Sequence, residues 1–147
     1  MALVSVVNQD ELKQVCTDAY VNESFDVALI FAPGTVFSPT DSYATYMASE
    51  CSQGLGGYAR KSFTYGLGDI GDYQEGLKAV PMARKTVTFT HDNSSNILEW
   101  SHVALIRRST TSIVACSQLT NAVELVEDQQ AIYYYDLLFY GTTGSRE

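Results

Sequence analysis

The spacing of apolar positions changes character near residue 57. Before it, "NQDELKQVCTDAY" places Leu12, Val15, Cys16, Ala19 and Tyr20 on one helical face, with Asn8 set to cap and Glu11 at the capping-box position. This predicts a helix over 8–20 that lies across a sheet. "FDVALIFA", 25–32, is an apolar run of strand length ended by Pro33-Gly34. Residues 38–51 read as a short helix opening at Ser38-Pro39 or as a loose turn, because Tyr and Thr are frequent there. From Gly57 onward, 57–65, 82–90, 97–107, 112–117, 122–126 and 131–140 are rich in β-branched and aromatic residues, with Gly, Asn, Ser or Asp between several of them. About seven short strands without intervening helices predict a mainly β fold, an antiparallel β-sandwich of jelly-roll or related Greek-key form.

Two of these strands repeat one another. "YARKSFTY", 58–65, returns as "MARKTVTF", 82–89. Alternation puts Ala59, Lys61, Phe63 and Tyr65 on one face and Ala83, Lys85, Val87 and Phe89 on the matching face; these are the expected core faces, with the lysine stems snorkelling outward. Tyr58, Arg60, Ser62 and Thr64, and Met82, Arg84, Thr86 and Thr88, then look outward as a polar surface that is solvated or accepts a neighbouring subunit.

A length of 147 residues fits one domain, 1–147, divided into an N-terminal helix and strand segment (1–56), a β core (57–141) and a flexible tail (142–147). Folding a chain of this length buries roughly 68–70% of its unfolded surface, and 46% apolar with 18% charged residues is an ordinary globular composition. The net charge of −8 argues against a nucleic-acid partner, which requires a basic footprint. The charge is segregated: residues 1–57 hold seven acids against Lys13 alone, 58–112 hold seven bases against five acids, and 113–147 are acidic again. Such segregation neutralises the protein internally or draws one copy to another. Cys16, Cys51 and Cys116 have no C-x-x-C spacing and read as reduced thiols, Cys16 and Cys116 as core fillers. The start "MALVSVV" lacks a leading positive charge, and no apolar run approaches 18 residues, so neither a secretory signal nor a membrane span is expected.

The stretch "GLGDIGDYQEGLKAVP", 66–81, is long for a loop and suits an arm that docks on a partner. Its Gly66, Gly68 and Gly71 match G-x-G-x-x-G, but the acids within and after the motif would face phosphate, so no cofactor is expected. Asp69, Asp72 and Glu75 could be offered to Ca²⁺, yet their spacing is not that of an EF-hand, and a solvated acidic loop without metal is the expectation. His91 reads as a turn residue and His102 as a strand residue beside Trp100; no nucleophile signature accompanies either, and no catalytic residue is assigned. The closing "AIYYYDLLFYG" places Ile132, Tyr134, Asp136, Leu138 and Tyr140 on one face and Ala131, Tyr133, Tyr135, Leu137 and Phe139 on the other, so both faces are largely apolar. Such a two-sided apolar strand is central, or is covered on one side by another subunit.

The order of these motifs, "GYARKSFTY", then "ARKTVTF", "WSHVALI", "SIVACSQL" and the closing strand, over residues 57–141, resembles a loose family of small tailed-bacteriophage virion proteins. The resemblance implies a non-enzymatic structural part located in the virion: a capsid decoration (cement) protein whose partner is the major capsid protein or another virion protein, or alternatively a small tail or fibre component. Decoration proteins of this kind commonly form trimers at local three-fold positions, so a homo-oligomer, preferably a trimer, is implied. The expected contact residues are Arg60, Arg84, Asp69, Asp72, Tyr73, Tyr133, Tyr135 and Tyr140. A carbohydrate-binding module using the tyrosines is a further alternative.

Overall fold

The computed structural model describes residues 8–140. The apolar start and the expected flexible tail at 142–147 lie outside the described residues. In chain order the elements are helix α1 (Gln9–Tyr20), strand β1 (Ser24–Ile30), helix α2 (Tyr43–Met47), then strands β2 (Lys61–Thr64), β3 (Ala79–Pro81), β4 (Lys85–Thr90), β5 (Leu98–Arg107), β6 (Ser112–Leu125), β7 (Gln130–Tyr135) and β8 (Leu138–Tyr140). Single 3-10 turns sit at Leu55–Gly57 and Leu67–Asp69. The protein is therefore mainly β, with an N-terminal helix and antiparallel sheets, and the described residues hold eight strands where about seven were expected.

The described chain forms two compact units from interleaved segments. The first takes residues 8–23, 64–85 and 134–140. Here Asn8 caps α1 as predicted, its Oδ1 accepting the Glu11 N–H at 3.0 Å. Cys16 is fully buried, Tyr20 meets the rings of Tyr65 and Phe139 edge-on, and β3 pairs antiparallel with β8. Val15, expected on the apolar face, is 43% exposed.

The second unit takes residues 24–63 and 86–133 and carries a four-stranded sheet in the order β2-β1-β5-β6. β1 and β5 run antiparallel from Phe25 opposite Arg107 to Ile30 opposite His102. Both strands are buried on both faces, which is why 25–32 reads as a continuous apolar run rather than an alternating one. One face is sealed by Ala28, Ile30, Ala104 and Ile106, over which Phe37, Tyr43 and Met47 pack. Burying apolar area of this kind stabilises by about 25 cal/mol per Å².

Several expectations shift for identifiable reasons. Residues 38–51 yield only the short α2, capped by Ser42 rather than opened at Ser38, because Asp41 turns back to accept the Ser38 N–H. The two strands expected at 112–117 and 122–126 are one, β6; the polar residues between them form a bulge in which Leu119–Ala122 face Ser101 alone. The strand expected at 131–140 breaks at Asp136-Leu137 into β7 and β8. In the repeats, regular strand begins only at Lys61 and Lys85, so alternation does not govern what precedes them. Phe63, Tyr65, Val87 and Phe89 are buried as expected, but Tyr58 and Met82, expected outside, are buried too, at 2% and 6% exposure.

Candidate functional site

The residues singled out from sequence fall into separate clusters. Arg60, in the second unit, is half-buried and grips Glu50 with both nitrogens of its fork, Nε to Oε2 at 2.7 Å and Nη2 to Oε1 at 2.8 Å. The same Nη2 donates to the Tyr43 hydroxyl at 2.8 Å, and the guanidinium lies 5.8 Å from that ring's centre. Tyr58 donates its hydroxyl proton to Glu50 Oε2 at 2.6 Å and accepts the Leu29 N–H at 3.2 Å. Burial pushes the Glu50 carboxyl up, but the bonds from Arg60 and Tyr58 outweigh it and hold the group below the usual glutamate range. Burial and the bond to Glu50 both push the Tyr58 hydroxyl up. Arg60 thus fixes the end of the α2 segment to the sheet through charge-assisted bonds.

Arg84, in the first unit, makes the same fork on Asp136, with Nε to Oδ1 at 2.9 Å and Nη2 to Oδ2 at 2.8 Å, and lies 5.2 Å from the Tyr134 ring centre. The two arginines therefore do not present free cations. The acids of the 66–81 stretch are likewise engaged: Asp69 bonds Lys85, Asp72 bonds Lys13 and Glu75 bonds Lys78. Because each acid takes its own lysine, the three do not converge. Asp69 also accepts the Gly66 N–H, and this bond and then Lys85 pull its carboxyl down. The stretch is not a loose arm: Ile70 bridges Met82, Gln74 bridges Ala79, and Ile70 and Tyr73 are buried.

His91 and His102 are both committed to backbone. His91 Nε2 lies 2.6 Å from the Asn96 carbonyl oxygen and so carries the proton, while Nδ1 accepts the Asn93 N–H. His102 Nε2 donates to the Thr35 carbonyl at 2.9 Å and Nδ1 accepts from the Ser101 hydroxyl, which also receives the Ala32 N–H. The Ser101 hydroxyl sits inside the sheet, 4% exposed with its residue, and ties the chain leaving β1 to β5. Beside His102 a recess of about 400 Å³ is lined by Phe37, Tyr46, Ile113 and Cys116.

Of the tyrosines, Tyr133 turns inward, its hydroxyl accepting the indole N–H of buried Trp100 at 2.8 Å, and Tyr135 is half-buried. Tyr140 is 61% exposed. Within β7, burial alternates, with Ile132 and Tyr134 exposed and Tyr133 and Tyr135 half-buried; Leu138 and Phe139 of β8 are half-buried.

A further surface feature gathers residues that sequence reading did not single out. Phe31, Leu55 and Ile97, each between 37% and 50% exposed, line one hollow of about 420 Å³ in the second unit, rimmed by Glu50 and Glu99. Phe31 leaves β1, Leu55 opens a 3-10 turn and Ile97 precedes β5. Gly56 and Gly57 in that turn adopt φ of +60° and +83°, and a Cβ at Gly57 would come 2.9 Å from the Asp92 side chain, so the tight turn that presents Leu55 depends on glycine. The three positions share no period: Leu55 and Ile97 stand out only as single apolar residues in polar surroundings, and Phe31 is hidden within the apolar run 25–32.

Comparison with protein-family models, with curated proteins and with solved structures gives no significant match to this chain.

Proposed function

We propose that this chain is a non-enzymatic structural protein of a tailed-bacteriophage particle, which binds the assembled capsid and stabilises it through protein–protein contacts. The observation that carries this reading is the hollow of Phe31, Leu55 and Ile97, three large apolar side chains held half in water and lined also by the polar residues Ser49, Glu50, Ser52 and Glu99. Grouped apolar exposure with a polar rim is the form of an interaction site rather than of scattered surface residues. The order of the strand motifs from Gly57 onward supports the virion assignment, and Arg84 and Tyr134 add an outward pair of the residue types that interfaces favour. The sandwich form belongs to the same reading, the β2-β1-β5-β6 sheet supplying one layer.

The mechanism is mass action. A protein that binds the assembled shell and not its separate pieces stabilises the shell by the free energy of each contact, with no covalent step. The test is to add purified protein to shells lacking it, then to measure bound copies per capsid subunit and the temperature at which shells open. Stoichiometric binding with a raised opening temperature is expected, and Phe31→Ser with Ile97→Ser should weaken binding by about tenfold or more. Failure to bind shells, or a few copies confined to the tail, overturns the capsid reading; the latter result would make the protein a tail or fibre component.

A further inference from the structure

We propose that β6 is a self-pairing edge, joining the β2-β1-β5-β6 sheets of two copies antiparallel about a two-fold axis. β6 is the last strand of that sheet, and among the described residues no strand or bridge lies on its outer side. It is the longest strand, at 14 residues, and most of its side chains are exposed. Edge strands are ordinarily blunted by shortness, lysine, proline or a bulge. The opposite edge follows that rule: β2 has four residues and begins with Lys61. β6 contains no lysine, arginine or proline, and Glu124 is its single charge. It has bulges at Val114 and Leu119–Ala122, and the run between them, Ala115–Gln118, is the part left open to pairing.

The charge around β6 selects a second copy, and selects its direction. The turn that opens β6 carries Arg108, next to Arg107 at the end of β5, whereas the far end carries Glu124, Glu127 and Asp128. Antiparallel pairing of β6 with itself brings the basic end of each copy to the acidic end of the other, twice over; parallel pairing would set like against like. Arg108 is 54% exposed at its side chain even while it holds Asp26, so it remains available at that end. The register with β5 is irregular at Val114 and across Leu119–Ala122, which leaves Ala115–Gln118 as the regular run and places the axis there. Pairing of one edge with its own copy closes at two and cannot propagate. None of this depends on what the Phe31 hollow binds, so the isolated protein suffices for the test.

Sedimentation of the purified protein over a concentration series should show a dimer. Val114→Lys with Ser117→Lys, both at exposed positions, should weaken it by about tenfold or more, because like charges then face each other across the axis, with the circular dichroism unchanged. Raising salt should weaken it by about threefold. Direction is read by oxidative cross-linking in a Cys116→Ala background: Ser117→Cys, near the axis, should give a covalent dimer, whereas Ser112→Cys, whose mate lies roughly 30 Å away in the antiparallel pair, should not. A monomer at all concentrations, an oligomer that the lysine pair leaves intact, or equal cross-linking at both positions overturns the proposal. Should the lysine pair misfold, Glu124→Lys alone must still weaken the dimer.

Discussion

Arg60 and Arg84, twenty-four positions apart in a repeated sequence, each clasp a carboxylate with Nε and Nη2 and each lie against a tyrosine ring. The repeat thus encodes a repeated local device: a buried residue (Tyr58 or Met82), an arginine fork two residues on, and a strand starting at the next lysine. What differs is burial. The Arg60 and Glu50 side chains are 30% and 20% exposed, those of Arg84 and Asp136 are 61% and 55%. Removing one partner from a part-buried pair strands the other, which costs about 2–4 kcal/mol. Arg60→Ala is therefore expected to lower the urea midpoint clearly and Arg84→Ala to leave it within error, since exposed pairs contribute little. Equal losses would show that the shared geometry, and not burial, sets the energy.

Acid should act through the same Glu50. Its folded value lies below the ordinary 4.5, so its contribution is fully present above that range and is lost as pH falls through the lower folded value. Asp69 and Asp136 are shifted the same way, by the Gly66 amide and Lys85 and by Arg84 respectively. The expected outcome is a stability that declines with acidification below about pH 4.5. Glu50→Gln should be less stable than the parent at pH 7 but should lose less on acidification. Parallel pH curves for the two proteins would remove Glu50 from the account.

Trp100 is fully buried and is the single tryptophan, so its fluorescence reports on the heart of the second unit. Its indole N–H has the Tyr133 hydroxyl as acceptor. Tyr133→Phe leaves that donor without its acceptor in a dry place, and unfolding followed by fluorescence should show a loss of about 1–2 kcal/mol. An unchanged midpoint would mean that another acceptor takes over.

What the chain announces in advance is what short-range periodicity can carry. The helix at Gln9–Tyr20 and its Asn8 cap, the strand core at Phe25–Ile30, and the buried Phe63, Val87 and Phe89 follow from local spacing. Partner choice does not. Nothing near Asp69, Asp72 or Glu75 tells that each will find a separate lysine, two of them 16 and 59 positions away, so an acidic loop that reads as an arm is in fact pinned. The Phe31, Leu55 and Ile97 hollow is invisible for the same reason. Gln118-Leu119-Thr120-Asn121 reads as a turn because a bulge and a turn use the same polar residues; only the β5 register decides between them.

The thiols should be sluggish. Burial, then the nearby Glu50 carboxylate, pushes the Cys51 thiol up to about 11, and its S–H donates to the Glu99 carbonyl. Burial also raises Cys16 and Cys116. Since the thiolate is the nucleophile, at pH 8 Cys51 should carry about a hundredfold less of it than an ordinary cysteine. Alkylation mapped by mass spectrometry should be far slower at Cys51 in the native protein than in urea. Rapid native labelling of Cys51 would show that the Phe31 hollow opens.

The glycines that imitate a phosphate loop have a different use, and two substitutions separate them. Gly71 donates its N–H to the Pro81 carbonyl at 2.9 Å, and a Cβ there would stand 2.8 Å from that same oxygen. Both sides of the contact are backbone, so no side chain can swing away to make room. Gly71→Ala must push the backbone around Gly71 away from Pro81 at the end of β3, weakening the neighbouring Ile70–Met82 bridge, and is expected to cost about 1–3 kcal/mol. Gly68, in the 3-10 turn, has nothing within 4 Å of its Cβ direction and a φ open to any residue. Gly68→Ala should therefore leave stability unchanged or raise it by about 0.4–1 kcal/mol through the less mobile unfolded chain. In a phosphate-binding turn each glycine has a use, for the tight turn, for approach of the pyrophosphate and for helix–strand packing; here Gly71 is required by its approach to Pro81 and Gly68 is dispensable, and thermal denaturation of the two variants measures that difference directly.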